Sequence, residues 1–186
     1  MLIGEKVILR ALTQSDLPKL NVWRNNPEVT KNLLGWSWPR SIEQEEEWLK
    51  ASYQDKENLR LAVDNKLDGR FIGMAGLYRI DWKNRNAVIG IMIGEKEFWQ
   101  KGYATDIGFT LMSYAFYELN LHRIVGEMLK ENLASQNLCR AWGFTYEGTL
   151  READYRRNKY QDIVIMSILK EEFDPQRKKE GKKEDD

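Results

Sequence analysis

The sequence predicts one α/β domain in which a single mixed sheet carries helices on its faces. Three observations carry this expectation. Residues Ala87, Val88, Ile89, Gly90, Ile91, Met92 and Ile93 form an unbroken apolar run, the pattern of a strand buried on both faces. Alternating and helical apolar periods succeed one another in the order β-α-α-β-β-β-α-β-α-β-β, with no internal repeat and no linker to split them. The 186 residues, 42% of them apolar, suffice to bury roughly 70% of the unfolded surface as one unit.

Each element has its own warrant. Residues 4–12 alternate well enough for a first strand, and Thr13 with Asp16 starts a helix over 15–24. Asn25, Asn26 and Pro27 stop it. A loop containing Trp36 and Trp38 then leads to Ser41, whose spacing to Gln44 makes a capping box for a second helix over 42–52. Residues 59–63 and 71–80, joined by a turn around Asp64, Asn65 and Gly69, read as an antiparallel hairpin. The apolar run 87–93 is the central strand, with Gly90 marking a bulge or a close approach. A polar, glycine-bearing loop from Glu95 precedes a helix over 105–120, which places Ile107, Leu111, Tyr114, Ala115 and Leu119 on one face. A strand over 123–128, a helix over 133–142 ended by Gly143, and strands over 144–151 and 161–169 complete the order. The domain is expected to span 1–172, with the charged remainder, 173–186, disordered.

Composition removes several classes of function. Twenty-nine basic residues balance twenty-nine acidic ones, so no net field draws the protein to nucleic acid or anionic lipid. No apolar run approaches the roughly 20 residues of a membrane helix, and the first residues lack the pattern of a signal peptide; the expected location is the cytoplasm. One cysteine, Cys139, and one histidine, His122, exclude an internal disulfide and a Cys/His metal cluster. Chemistry is left to carboxylates, hydroxyls, backbone groups or a bound cofactor.

The segment that points to such chemistry is Trp99-Gln100-Lys101-Gly102-Tyr103-Ala104-Thr105, between the buried strand and a helix. The first N–H groups of a helix are unpaired and lie at its positive dipole end, and a glycine there lets a phosphate approach the main chain. Neither the P-loop spacing nor the Gly-x-Gly-x-x-Gly dinucleotide pattern is present.

This segment resembles the acetyl-coenzyme A pyrophosphate loop of the GNAT acetyltransferases, Gln/Arg-x-x-Gly-x-Gly/Ala, with Trp99 departing at the first position. The resemblance extends to Leu9-Arg10 with Asp16-Leu17, Trp23-Arg24-Asn25-Asn26-Pro27, Asn120-Leu121-His122-Arg123, Glu131-Asn132-Leu133-Ala134-Ser135, Gly143-Phe144, Glu147-Gly148 and Tyr160-Gln161-Asp162. These ordered blocks cover about residues 7–170 and look like the RimJ/RimL-type branch, which acetylates ribosomal-protein N-termini. A GNAT-like, single-domain, mostly antiparallel sheet flanked by helices is what the resemblance implies.

The resemblance also implies roles. Amides of Gln100, Lys101, Gly102, Tyr103, Ala104 and Thr105 would hold the pyrophosphate, and the backbone of Met92 and Ile93 would pair with pantetheine, their side chains being core. Asn132 would bond the pantetheine arm, and Ser135 and Asn137 would lie nearer the adenosine end. Asn132 and Ser135 read equally well as helix caps. Cys139 stands where many relatives place the Tyr that protonates the leaving thiolate, and reads otherwise as a small buried hydrophobe. Val88 occupies the place of a Glu base on the central strand, so Asp154, with Glu152 behind it, is the candidate base. Trp36, Trp38 and Tyr155 would wall the acceptor site. The implied reaction is direct acetyl transfer from acetyl-CoA to a primary amine, the N-terminal amine of a ribosomal protein or similar peptide, with no metal and with a homodimer as the family habit. The alternatives are a small amine acceptor such as a polyamine, amino sugar or aminoglycoside, and a non-catalytic acyl-CoA-binding module.

Overall fold

The computed structural model describes residues 1–35 and 38–176, so Trp36 and the stretch 177–186 lie outside the described residues. The strands are β1 (Leu2–Ile3), β2 (Val7–Ala11), β3 (Leu59–Asn65), β4 (Phe71–Asp81), β5 (Asn86–Ile93), β6 (Arg123–Leu129), β7 (Thr145–Arg156) and β8 (Lys159–Leu169). They form one sheet in the order β1-β2-β3-β4-β5-β6-β8-β7. Every neighbouring pair is antiparallel except β5 and β6. A parallel pair needs a crossover, and α4 (Tyr103–Ser113) with a wider π-type turn over Tyr114–Glu118 supplies it.

Two cores lie on opposite faces. Ala87 and Ile89 of β5, with Ile124 and Met128 of β6, pack under α4 and α5 (Leu133–Trp142). Met92 of β5, with Ala62 and Met74, packs under α1 (Leu17–Arg24) and α3 (Ile42–Ser52) through Leu17, Leu20, Trp23 and Leu49. Two glycines let the helices settle. A Cβ at Gly94 would stand 1.9 Å from the Trp23 ring and one at Gly108 would stand 2.1 Å from the Trp142 ring.

The elements follow the sequence closely, with five differences. Strand β1 and the one-turn α2 (Pro27–Thr30) were not expected. Pro27 begins that turn rather than ending a helix, because the Asn26 side chain accepts the Glu28 N–H and caps it. Strand β5 is not buried on both faces: the α1–α3 layer meets it only at its Met92 end, leaving Val88 and Gly90 half-buried. Strands β7 and β8 run on into a two-residue turn at Arg157 and Asn158, both left-handed (φ 51 and 60). Such a turn matches the twist of the strands, and here Arg-Asn takes the place of the more usual Asn-Gly. Asp154 and Tyr155 therefore stand in a strand, opposite Gln161 and Tyr160. Finally, the expected disordered tail does not begin at 173, since Phe173 is buried against Phe109 and Phe116.

The helix starts hold. Ser41 and Gln44 form the capping box of α3. Arg10 bonds both oxygens of Asp16 at 2.7 and 2.8 Å and both of Asp64 at 2.6 and 3.0 Å, tying β2 to the start of α1 and to β3. No helix among the described residues is long and apolar enough to cross a membrane.

Candidate active site

Strands β5 and β6 pair only over Asn86–Val88 and Arg123–Val125, after which β6 continues on β8 alone as far as Leu129. The sheet opens there into a wedge. Gly94 N–H donates to Ile72 O at 2.9 Å, and antiparallel residues alternate between facing their partner and facing away. Gly90 and Met92 accordingly spend their main-chain groups on β4, while Ile91 and Ile93 turn theirs toward the wedge. This corrects one of the expected pair: Met92 is core in its side chain and is paired through its backbone, so Ile91 joins Ile93 as the free edge. The Ile93 carbonyl is already taken by Trp99 Nε1 at 2.8 Å.

The loop after β5 delivers the second part of the site. Gln100 and Gly102 are both left-handed (φ 58 and 77), and Gly102 is the N-cap of α4 with no side chain bonded to the helix start. The first main-chain N–H groups of α4, those of Tyr103, Ala104 and Thr105, are thus left at the mouth of the wedge with the positive end of the helix behind them. Lys6 adds a charge that sequence reading did not locate: its Nζ donates to Lys101 O at 2.6 Å and lies 5.5 Å from the Tyr103 ring centre. Asp106 holds Lys6 there by accepting the main-chain N–H groups of Glu5, Lys6 and Val7 at 3.1, 2.7 and 3.0 Å. The Tyr103 side chain turns away, its hydroxyl donating to Asn65 Oδ1.

On α5, Asn132 is the N-cap. Its Oδ1 accepts the Ser135 N–H at 3.2 Å and its Nδ2 donates to Ser135 Oγ at 2.8 Å, so the capping reading is realised in full and one amide hydrogen remains to be given. Asn137 is bonded by Arg140 at 2.9 Å. Cys139 is 4% exposed and packs on Gly126 in the main core. Burial pushes its thiol up to about 12, which makes it a poor proton donor to a thiolate whose own acid is far stronger. Its expected role as acid is withdrawn on that ground, and it reads as a core thiol.

The opposite face of the wedge is made of arginine–carboxylate pairs. Gly76 and Gly90 stand opposite one another, and the Tyr78 ring lies over both. Beside it, Arg24 pairs with Glu45 at 2.5 Å and stacks 3.9 Å from the Trp48 ring centre, while Arg60 pairs with Asp55 at 2.7 Å. The Arg60 guanidinium holds Asp55 at about 2, and burial pushes the Tyr78 phenol up against the opposing pull of Arg60 and Arg24. From β4, Arg79 reaches Glu127 of β6 at 2.5 Å. At the far wall, Arg156 binds both oxygens of Asp154 and donates to the carbonyls of Lys31 and Leu33 at 3.1 and 3.0 Å.

That clamp corrects the expectation for Asp154. With both oxygens on one guanidinium it offers no open carboxylate to an amine, and its contribution is to fasten the β7–β8 hairpin to the segment after α2. Tyr155 packs at a tilt against Tyr160, ring centres 4.9 Å apart, and donates to Asn158, leaving it 60% exposed at the hairpin. Trp38 is 69% exposed near Arg40 and Trp48. Sequence reading missed Lys6, Glu127 and Arg156, each of which acts across a long chain separation. A recess of about 450 Å³, lined by Leu49, Tyr53, Asp55, Arg60, Ile80 and Trp82, lies at the other end of the sheet from the α4 loop, so the Arg60–Asp55 pair borders it as well.

A strand edge with free amides, a helix start without a cap and a lysine beside it suit an extended thioester with a pyrophosphate, which defines an acyl-CoA-dependent transferase. The comparisons agree. Residues 6–145 match the acetyltransferase (GNAT) domain model, and the chain belongs to that family. It is 32% identical over 169 residues to the uncharacterized N-acetyltransferase YoaA of Bacillus subtilis, covering 89% of this chain and 94% of YoaA. It is 28% identical over 174 residues to the spermidine N(1)-acetyltransferase of Vibrio cholerae, covering 92% and 97%. The crystal structure of the Vibrio cholerae spermidine N-acetyltransferase with CoA and spermine superposes with a TM-score of 0.84, covering 91% of this chain and 98% of that one. The protein is an acetyl-CoA-dependent N-acetyltransferase with acetyl-CoA as cosubstrate. No group of three or more His, Cys, Asp or Glu among the described residues is placed to hold a metal.

Proposed function

We propose that the acceptor is the N-terminal amine of a peptide, a ribosomal protein or one like it, acetylated directly within a ternary complex. The observation that supports this reading is the charge matching of the acceptor face. Four of its carboxylates, Glu45, Asp55, Glu127 and Asp154, are paired with an arginine. A polyamine carrying several positive charges calls for surplus carboxylates, whereas a single terminal ammonium followed by peptide groups does not. YdaF of Bacillus subtilis, whose name gives a provisional ribosomal acceptor, is 30% identical over 178 residues.

In this reading the main-chain groups of Ile91 and Ile93 pair with the pantetheine arm, and one of their N–H groups bonds the thioester carbonyl as charge develops there. The N–H groups of Tyr103, Ala104 and Thr105 hold the pyrophosphate, with Gln100, Lys101 and Gly102 shaping the approach and Lys6 adding charge. Asn132 gives its remaining amide hydrogen to the arm, and Ser135 and Asn137 lie toward the nucleotide end. Trp38 and Tyr155 flank the acceptor entrance. Acetyl-CoA, when bound, supplies the activated acyl group. On the family resemblance we place the protein in the cytoplasm as a homodimer.

A polyamine is the second reading, favoured by the spermidine acetyltransferases among the relatives and by the outward acids Glu43, Glu46 and Glu47 on α3. Thiol release from acetyl-CoA, measured on N-terminal peptides, spermidine and aminoglycosides with a cofactor thermal-shift control, decides between them. Turnover concentrated on peptides supports the first reading. Turnover on spermidine alone replaces it with the second.

A further inference from the structure

We propose that Glu127 is the general base of the transfer, supplying from β6 the carboxylate that β5 lacks at Val88. The argument is one of register and face. On β5, Ala87 and Ile89 point into the α4–α5 core and Met92 into the α1–α3 core, so Val88 and Gly90 share the acceptor face. On β6, Ile124 and Met128 point into the α4–α5 core, so Val125 and Glu127 lie on that same acceptor face. Val88 pairs with Val125, the last contact before the strands part. Two residues on, Glu127 stands across the wedge from Gly90, over which the Tyr78 ring lies, and beside the Ile91 and Ile93 edge proposed for the thioester.

Its surroundings suit the task. Glu127 is partly exposed, with 25% of its side chain open, and its Oε1 pairs with Arg79. Asp154, by contrast, has both of its oxygens hydrogen-bonded by Arg156. Arg79 is left-handed (φ 51) at an irregularity of β4 and spans β5 to reach it. The other charged groups facing this region are themselves paired: Arg123 with Glu147, whose carboxylate Ser167 also bonds, Arg60 with Asp55, and Arg24 with Glu45.

In the step, the acceptor ammonium gives one proton to the Glu127 carboxylate, and the freed nitrogen lone pair forms the bond to the acetyl carbon. The C–S bond breaks with its electrons on sulfur. The second proton leaving nitrogen ends on that sulfur through solvent, and Glu127 returns its own to water. Amide and thiol are the products, and no further reactant is needed.

The inference rests on transfer to an amine but not on which amine. Wild type, Glu127→Gln and Glu127→Asp are compared for turnover against pH on a terminal peptide and on spermidine, with acetyl-CoA affinity measured by calorimetry. Glu127→Gln is expected to lower kcat about 10²–10⁴-fold at neutral pH, with acetyl-CoA affinity unchanged. The deficit should shrink as pH rises toward the amine's own pKa, where no base is needed. Glu127→Asp should keep part of the rate, and Glu127→Ala should regain turnover with added formate. Turnover of Glu127→Gln close to wild type at neutral pH, an equal deficit at every pH, or lost acetyl-CoA affinity overturns the proposal. A wrong acceptor shows up separately, as a wild-type preference for the other amine.

Discussion

The two halves of the active site are built from different materials. On the proposed cosubstrate half, the groups offered are mainly main-chain, the Ile91 and Ile93 edge and the start of α4 behind Gly102, with the Lys6 and Asn132 side chains beside them. On the proposed acceptor half they are side chains, among them four arginine–carboxylate pairs that draw on α1, α3, β3, β4, β6 and β7. A backbone site is fixed once the fold forms, and substitutions alter it only by bending the chain. A side-chain site depends on each pair, so single substitutions there reach both stability and acceptor binding.

The largest expected effect tests the acceptor half. Glu45 is fully buried, with Oε1 unpartnered and the other oxygen on Arg24. Arg24→Met leaves that charge uncompensated and should cost about 3–5 kcal/mol in denaturant unfolding, while Arg24→Met with Glu45→Leu should recover most of it. A small loss in the single variant would mean that the pair does not organise this face. Arg156→Ala comes next. Removing two charged-donor bonds to Lys31 and Leu33 carbonyls should cost about 2 kcal/mol, read as a raised acceptor KM with acetyl-CoA affinity unchanged.

On the cosubstrate half, Gly102→Val forces a branched side chain to φ 77. About 1–2 kcal/mol of strain predicts roughly tenfold weaker acetyl-CoA binding by calorimetry, with the acceptor KM held. Asn132→Ala should cost about 1 kcal/mol as a lost cap; a fall in acetyl-CoA affinity beyond that isolates its proposed contact with the arm. The smallest effect is on acid stability. Arg60 holds Asp55 at about 2, and burial would raise Asp16 but its bonds to Arg10 and Thr13 hold it below its ordinary value. Carboxylates depressed in the fold stabilise it above their unfolded pKa and lose that contribution as pH falls. The melting midpoint should therefore decline between pH 3.8 and about 2, a decline that Arg60→Met diminishes.

The same contrast explains what the sequence made legible. The cosubstrate half follows local rules: Gly102 before a helix, Asn132 and Ser135 as a cap, Gly143 as a stop, and a central apolar run are each readable within a few residues. The order of elements follows from them. The acceptor half depends on partners far apart, such as Arg156 with Lys31 and Arg79 with Glu127, which no local period records. Asp154 misled because Arg157-Asn158 makes a tight turn without glycine, so a strand residue read as a loop acid. Cys139 misled because position in a motif does not reveal burial. The Val88 substitution signalled that a carboxylate was needed elsewhere, but only the β5–β6 register shows where.

The central claim, that the β5–β6 wedge and the start of α4 hold the cosubstrate through backbone, is tested most directly by amide hydrogen exchange with and without CoA. Protection should appear at Ile91, Ile93 and residues 102–105, while the main-chain amides of Met92 and Gly90, already bonded to β4, should change little. Protection confined to other segments, or none in this loop at saturating CoA, would contradict the account.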